Sequence, residues 1–270
     1  MLNGEELVGR AARDLVKASY AIALTGAGIS TESGIPDFRG PNGIWTKKPE
    51  AEIRAYEVYE QFRANPKGYW EGRLDPEGPI SRIFSIFGEI EKAQPNAGHY
   101  ALAELEKMGI LKCVITQNVD GLHQKAGSKN VIEYHGGLNK FRCVNCNRRF
   151  SKDELNLEKL KKEGRLPPYC QCGGVIKDDG VFFGEPIPGD VLQRSQRDAW
   201  KCDLMLICGT SAVVYPFAAL PEMAYKSAIV IEINAQPTPL TGRISEYLIQ
   251  GKTGETLPKI VEKVKKIQKG

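Results

Sequence analysis

The chain has 270 residues, enough for one large domain and a small one. Hydrophobic residues make up 41% and charged residues 26%, a balance that excludes a disordered or collagen-like chain. A formal charge of +4 is too mild to name a partner, and no apolar run reaches the ~20 residues a membrane helix needs.

Met1 to Glu6 does not read as a signal peptide, so a cytoplasmic, reducing setting is expected. There the seven cysteines point to metal ligation before disulfides. Two basic runs (Lys159, Lys161, Lys162, Arg165 and Lys263, Lys265, Lys266, Lys269) read as solvated faces, so direct nucleic-acid binding is not expected. A monomer is expected.

Leu7, Val8, Ala11, Ala12, Leu15 and Val16 recur at helical spacing and predict an opening amphipathic helix. The apolar run Ala21 to Leu24 comes next, without alternation, as in a strand covered on both faces. The same alternation of helix and buried strand returns at Leu102 to Met108 with Leu111 to Ile115, then at Leu204 to Cys208 and Ile229 to Ile233. A last helix holds Ile260, Val261, Val264 and Ile267. This pattern predicts an α/β domain with a Rossmann-like parallel sheet.

Two stretches break it. Residues 40–95 carry scattered aromatics (Trp45, Tyr56, Tyr59, Phe62, Tyr69, Trp70) and read as a helical insertion. Residues 139–179 hold four cysteines and a lysine-rich helix, and read as a separate module. The expected large domain is then 1–39, 96–138 and 180–270.

Ligands of open parallel sheets sit at the carboxyl ends of the strands. Those ends read Gly26-Ala27-Gly28-Ile29-Ser30, Gln117-Asn118-Val119-Asp120, Gly209-Thr210-Ser211 and Asn234. Gly26 and Gly28 would let backbone amides approach a pyrophosphate. Thr31 stands where a dehydrogenase fingerprint has its third glycine, and Gly34 and Pro36 forbid a long helix, which disfavours hydride transfer. Asn118 and Asp120 could equally cap the helix after them. His135, beside Gly136 and Gly137, could serve as a general base. His99 and His123 show no partner motif.

Cys143, Cys146, Cys170 and Cys172 form two tight pairs separated by 23 residues. Four thiolates close a tetrahedral zinc site, so such a metal is structural. Cys113, Cys202 and Cys208 read as packed thiols.

The stretches Gly26 to Ser30 with Gly34 to Gly40, and Thr116 to His123, resemble the two signatures of the sirtuins, in a prokaryotic or archaeal form. His135-Gly136, the paired cysteines, Val181 to Glu185, Gly209 to Ser211 and Asn234 come after them in that family's order. The resemblance implies a Rossmann-like domain with a smaller lobe, made of the helical insertion and a zinc-ribbon-like insertion. It also implies an NAD-dependent protein-lysine deacetylase acting on an acetyl-lysine protein or peptide, with NAD as co-substrate. His135 and Asn118 would be catalytic. Gly26, Ala27, Gly28, Ser30, Asp37, Phe38, Arg39, Gln117, Val119, Asp120, Gly209, Thr210, Ser211, Asn234, Lys252 and Thr253 would bind NAD. Val181 and Phe183 would line the acyl-lysine tunnel.

Relatives that prefer dicarboxylic acyl groups carry a Tyr and an Arg three apart. Here Tyr69 and Arg73 are four apart, so a neutral acyl group is expected. Two other readings remain open: an NAD- or nucleic-acid-binding zinc module without turnover, and a mono-ADP-ribosyltransferase.

Overall fold

The computed structural model describes residues 3–40, 43–78, 80–81, 90–138 and 140–269. Its strands are β1 (Ala21–Thr25), β2 (Leu111–Thr116), β3 (Val131–Glu133), β4 (Lys140–Cys143), β5 (Arg149–Ser151), β6 (Ile176–Asp178), β7 (Leu204–Cys208), β8 (Ile229–Asn234) and β9 (Tyr247–Gln250). The chain divides into a larger unit (Met1–Asp37, Ala93–Tyr134, Gly189–Gly270) and a smaller one (Phe38–Lys92, His135–Pro188).

The larger unit is built on a six-stranded sheet, β3-β2-β1-β7-β8-β9, parallel throughout. Every residue of β1 and β7 is buried, which is why these runs show no alternation. Ala21 and Ala23 face a core shared with Ala11 and Leu15 of helix Gly4–Lys17, Leu102 and Leu105 of helix Ala97–Lys107, and Leu257, Ile260 and Val264 of helix Thr253–Lys269. On the opposite face Cys113 Sγ meets Asp198 of helix Gly189–Lys201. Helices therefore cover both faces, as the doubly wound pattern requires.

Local chemistry sets the ends. Asn3 and Glu6 form a capping box that starts the first helix. After β1 the chain makes a 3-10 stretch, Ala27–Ser33, which Gly34 ends at φ 85°. Among the described residues, no helix is long and apolar enough to cross a membrane.

The smaller unit holds helices Ile44–Lys47, Pro49–Ala64 and Pro66–Arg73 and an antiparallel sheet, β5-β4-β6. Its core joins Val58, Phe62, Tyr69 and Trp70 to Phe141, Ile176 and two of the cysteines. The lysine-rich helix Leu157–Lys162 buries none of its residues. Residues 180–188 group with this unit, because the segment is tied to β6 and to the chain around His135. The predicted helical insertion also covers positions 41–42, 79 and 82–89, which lie outside the described residues.

Candidate functional site

Register brings the strand ends together. Thr25 pairs with Thr116 and with Cys208, and Cys208 with Ile233, so the four polar turns leave the sheet side by side. The first turn packs directly on the third. The Gly28 amide donates to the Gly209 carbonyl at 2.8 Å, and the Gly26 amide to that of Cys208 at 3.4 Å. A Cβ on Gly28 would lie 2.7 Å from the Gly209 oxygen, and one on Gly26 2.7 Å from Thr210 Cβ. These glycines are there for loop-to-loop contact, and both amides are engaged within the protein.

A polar network runs through the same turns. Gln117 Nε2 donates to Thr210 Oγ1 at 2.8 Å, and Asn234 Oδ1 accepts from the Thr210 amide at 3.0 Å. Asn118 Nδ2 donates to the Gly26 carbonyl and to Ser30 Oγ, both at 3.0 Å. Ser30 Oγ donates to Asp120 Oδ2 at 2.7 Å, while Asp120 Oδ1 takes the amide of Leu122, the first residue of the short helix Leu122–Lys125, at 3.0 Å. Ala27, Val119 and Asp37 are half-buried nearby in the chain. Ser211 and Lys252 lie outside the network, both exposed, with Lys252 paired to Glu255 at 3.5 Å.

Asn234 Nδ2 and Thr253 Oγ1 are buried polar atoms with no hydrogen-bond partner among the described residues. Their residues are 6% and 3% exposed. Buried donors and hydroxyls left over cost free energy, and polar groups of a bound ligand would satisfy them. The turns therefore fit a dinucleotide on their own chemistry.

Two histidines without a sequence motif belong to this network. His99 accepts the Asn96 amide on Nδ1, which leaves Nε2–H to face Ser30 Oγ at 3.4 Å. His123 Nε2 lies 2.9 Å from Thr25 Oγ1, and the two imidazoles meet edge to face at 4.9 Å. Burial pushes His99 down to about 4 and His123 down to about 3, so both are neutral. Asn96, three residues before His99, caps that helix and anchors Ile29 O at 2.7 Å. The Asx-x-x-His spacing was the available sequence signal.

In the smaller unit all four thiol sulfurs of Cys143, Cys146, Cys170 and Cys172 lie within 4.8 Å of one another. Cys143 and Cys172 are 3.4 Å apart, and Cys146 and Cys170 3.7 Å, against ~3.8 Å for sulfurs around a tetrahedral zinc. The one-residue second pair closes because Gly173 is left-handed (φ 81°) and Gly174 lies under Cys143 Sγ, where a Cβ would come within 2.6 Å. The Gly174 amide and the neighbouring thiols draw Cys172 down to about 7. The set fits one structural zinc.

The same unit holds His135, half-buried, whose carbonyl accepts the Val181 amide at 2.9 Å. Phe183 stacks within 4.6 Å of Tyr56 and 5.3 Å of Trp45. Phe38 lies 4.9 Å from Trp45, over which the Arg39 guanidinium sits at 4.4 Å, paired with Glu52 at 3.6 Å.

A parallel α/β unit with polar turns gathered at one sheet edge, on one chain with a four-thiolate module, defines the class: a dinucleotide-binding α/β protein with a structural metal. The family model that matches residues 26–216 is that of the Sir2 family. The NAD-dependent protein deacetylase of Saccharolobus solfataricus is 45% identical over 95% of this chain and 96% of its own. A Sir2 homologue solved with NAD is 38% identical, with TM-score 0.73 over 96% of this chain and 94% of that one. A Sir2 variant solved with deacetylated p53 peptide and 3′-O-acetyl ADP ribose is 33% identical, with TM-score 0.72 over 97% of this chain and 98% of that one. The chain belongs to the Sir2 family.

Proposed function

We propose that the chain is an NAD-dependent protein-lysine deacetylase that moves the acetyl group of acetyl-lysine to ADP-ribose and releases nicotinamide. NAD supplies the electrophilic ribose carbon that the acetyl oxygen attacks. The observation that carries the assignment is the state of Asn118. Both its amide hydrogens are spent on Gly26 and Ser30, which leaves Oδ1 as an oriented acceptor for a ribose hydroxyl. Asp120 spends one lone pair of each oxygen inside the protein and keeps others for the nicotinamide amide. Asn234 and Thr253 hold the adenosine side through their spare polar atoms.

In the smaller unit His135 takes the proton of a ribose hydroxyl, Phe38 shields the reactive carbon from water, and Arg39 serves the phosphate–ribose region. Val181 and Phe183 receive the acyl-lysine, with strand-like pairing to the peptide backbone. A neutral acyl group suits the site, because the Tyr69 hydroxyl and Arg73 are both turned on Asp178, at 2.6 and 3.4 Å. The Tyr69 hydroxyl is spent on Asp178, whose carboxylate also neutralises the Arg73 charge. A cytoplasmic location is part of the same reading, supported by the thiolate cluster, which needs a reducing compartment.

The test is incubation with NAD and an acetylated peptide, then mass analysis of the nucleotide. O-acetyl-ADP-ribose is expected, and its loss in a folded His135→Ala variant. Wild-type turnover in that variant would take the base role from His135.

A further inference from the structure

Strands β4 and β6 set two cations side by side in a dry place. Arg142 and Lys177 are direct cross-strand partners, so they share one face, and they are 3% and 0% exposed. Facing like charges destabilise a sheet unless something neutralises them. One carboxylate serves both: Glu185 Oε1 accepts from Arg142 Nη2 at 2.6 Å, and Oε2 lies 3.1 Å from Lys177 Nζ. Asp179 adds a second anion, 3.4 Å from Arg142 Nε and 3.5 Å from Arg149 Nε.

The same carboxylates reach the backbone of two functional segments. Glu185 Oε2 accepts the amide of Phe182, the residue between Val181 and Phe183, at 2.9 Å. Asp179 Oδ2 accepts the amide of Gly137, two residues after His135, at 3.1 Å. Between those anchors the Val181 amide donates to the His135 carbonyl at 2.9 Å. Gly136 (φ 76°) packs so closely that a Cβ would lie 2.2 Å from the Asp179 carbonyl oxygen. Apolar residues of the same volume often serve stability as well as a buried ion network does.

We propose that Arg142, Lys177, Asp179 and Glu185 are positioning residues for the acyl-lysine substrate. They fix the Val181–Phe183 segment against His135–Gly137 and set peptide affinity without setting NAD affinity. The inference rests on the deacetylase reading above.

Steady-state kinetics on the full zinc-loaded chain, with NAD and acetyl-peptide varied in turn, provides the test. Glu185→Gln keeps the size and an acceptor for the Phe182 amide but leaves the facing cations one negative charge short. Its KM for peptide should rise about tenfold, with KM for NAD within about twofold and zinc content unchanged. The double variant Lys177→Met/Glu185→Gln removes one charge of each sign and should recover most of that loss. If Glu185→Gln does not fold, Glu185→Asp keeps the charge on a shorter arm, and the same split is expected of it. An equal rise in both KM values, an unchanged peptide KM, or a double variant no better than the single overturns the proposal. Peptide-dependent nicotinamide release by the unsubstituted chain is measured first. Its absence overturns the deacetylase reading and this inference together, whereas its presence with a failed split overturns this inference alone.

Discussion

Gly28 and Gly209 are joined by a hydrogen bond of 2.8 Å between two turns that leave neighbouring strands, with no room for a methyl group on either. A Cβ on Gly209, which sits at φ 61°, would fall 2.2 Å from the Ile29 nitrogen. Gly28→Ala should therefore cost about 1–3 kcal/mol by overpacking and raise KM for NAD as the turns part. Gly34→Ala meets open space but must hold φ 85°, so it should cost about 1–2 kcal/mol without touching NAD affinity. Urea midpoints and calorimetric NAD titration separate the two effects. A Gly28→Ala chain with unchanged NAD affinity would show that the turn contact does not shape the site.

The buried histidines predict a pH dependence of stability. Their folded pKa values, about 4 for His99 and about 3 for His123, are depressed by burial below the ordinary ~6.5. As pH falls below ~6.5 the unfolded chain takes up protons that the folded chain refuses, so stability is full above that value and is lost as pH falls toward 4. By pH 5 the loss should be roughly 2 kcal/mol per histidine, above the range in which carboxylates titrate. Urea midpoints at pH 7 and pH 5 measure it. His123→Gln should remove about half of the dependence and leave the share of His99, since His123 Nδ1 has no hydrogen-bond partner among the described residues to compensate for a charge. Equal midpoints at the two pH values would mean that the imidazoles are not held neutral.

Tyr69 is 2% exposed and gives its hydroxyl to Asp178, which the Arg73 guanidinium also meets. Burial, then the Asp178 charge, hold the phenol well above its ordinary pKa, so it stays a donor at any working pH. Tyr69→Phe should destabilise by about 1.5–3 kcal/mol, the range for a hydrogen bond to a charged group. It should leave the preference for acetyl- over succinyl-lysine peptide unchanged. Succinyl turnover that matched acetyl turnover and vanished in Tyr69→Phe would show the phenol reading the substrate.

The buried strands and the four turns were legible because parallel strands covered on both faces write unbroken apolar runs and their ends write small polar residues, as β1 with Gly26 and β7 with Gly209 do. The cysteine spacing carried the metal centre for a similar reason, since ligation is a local constraint. What pairs with what across the chain left no such trace. Gly28 reads as phosphate-binding in sequence, and only the approach of Gly209 reveals that its amide is taken. His123 looked solitary because its partner Thr25 stands 98 positions away, and the link from His99 to Ser30 spans 69. Arg142 and Lys177 carry no motif in the sequence, and only strand register shows both turned inward onto Glu185.

The second cysteine pair offers the sharpest test of the metal centre. With one residue between Cys170 and Cys172, the knuckle depends on the two glycines after it. Gly173 bends the chain, the Cys170 amide donates to the Gly174 carbonyl at 2.8 Å, and Gly174 sits where a Cβ would press on Cys143 Sγ. Gly174→Ala keeps all four thiols, so it should weaken zinc by about 10–100-fold through geometry alone, as changes around a ligand set do. Cys172→Ser removes a ligand and should abolish tight zinc binding, measured by chelator competition and metal content. Loss of zinc should loosen the core that Cys143 and Cys170 share with Phe141 and Ile176, opening residues 143–174 to trypsin. The sheet of the larger unit has its own core and should stay protected. Full zinc content in Gly174→Ala would mean that the knuckle tolerates a methyl group beneath Cys143. Global cleavage in Cys172→Ser would mean that the metal holds up the entire fold and not the smaller unit alone.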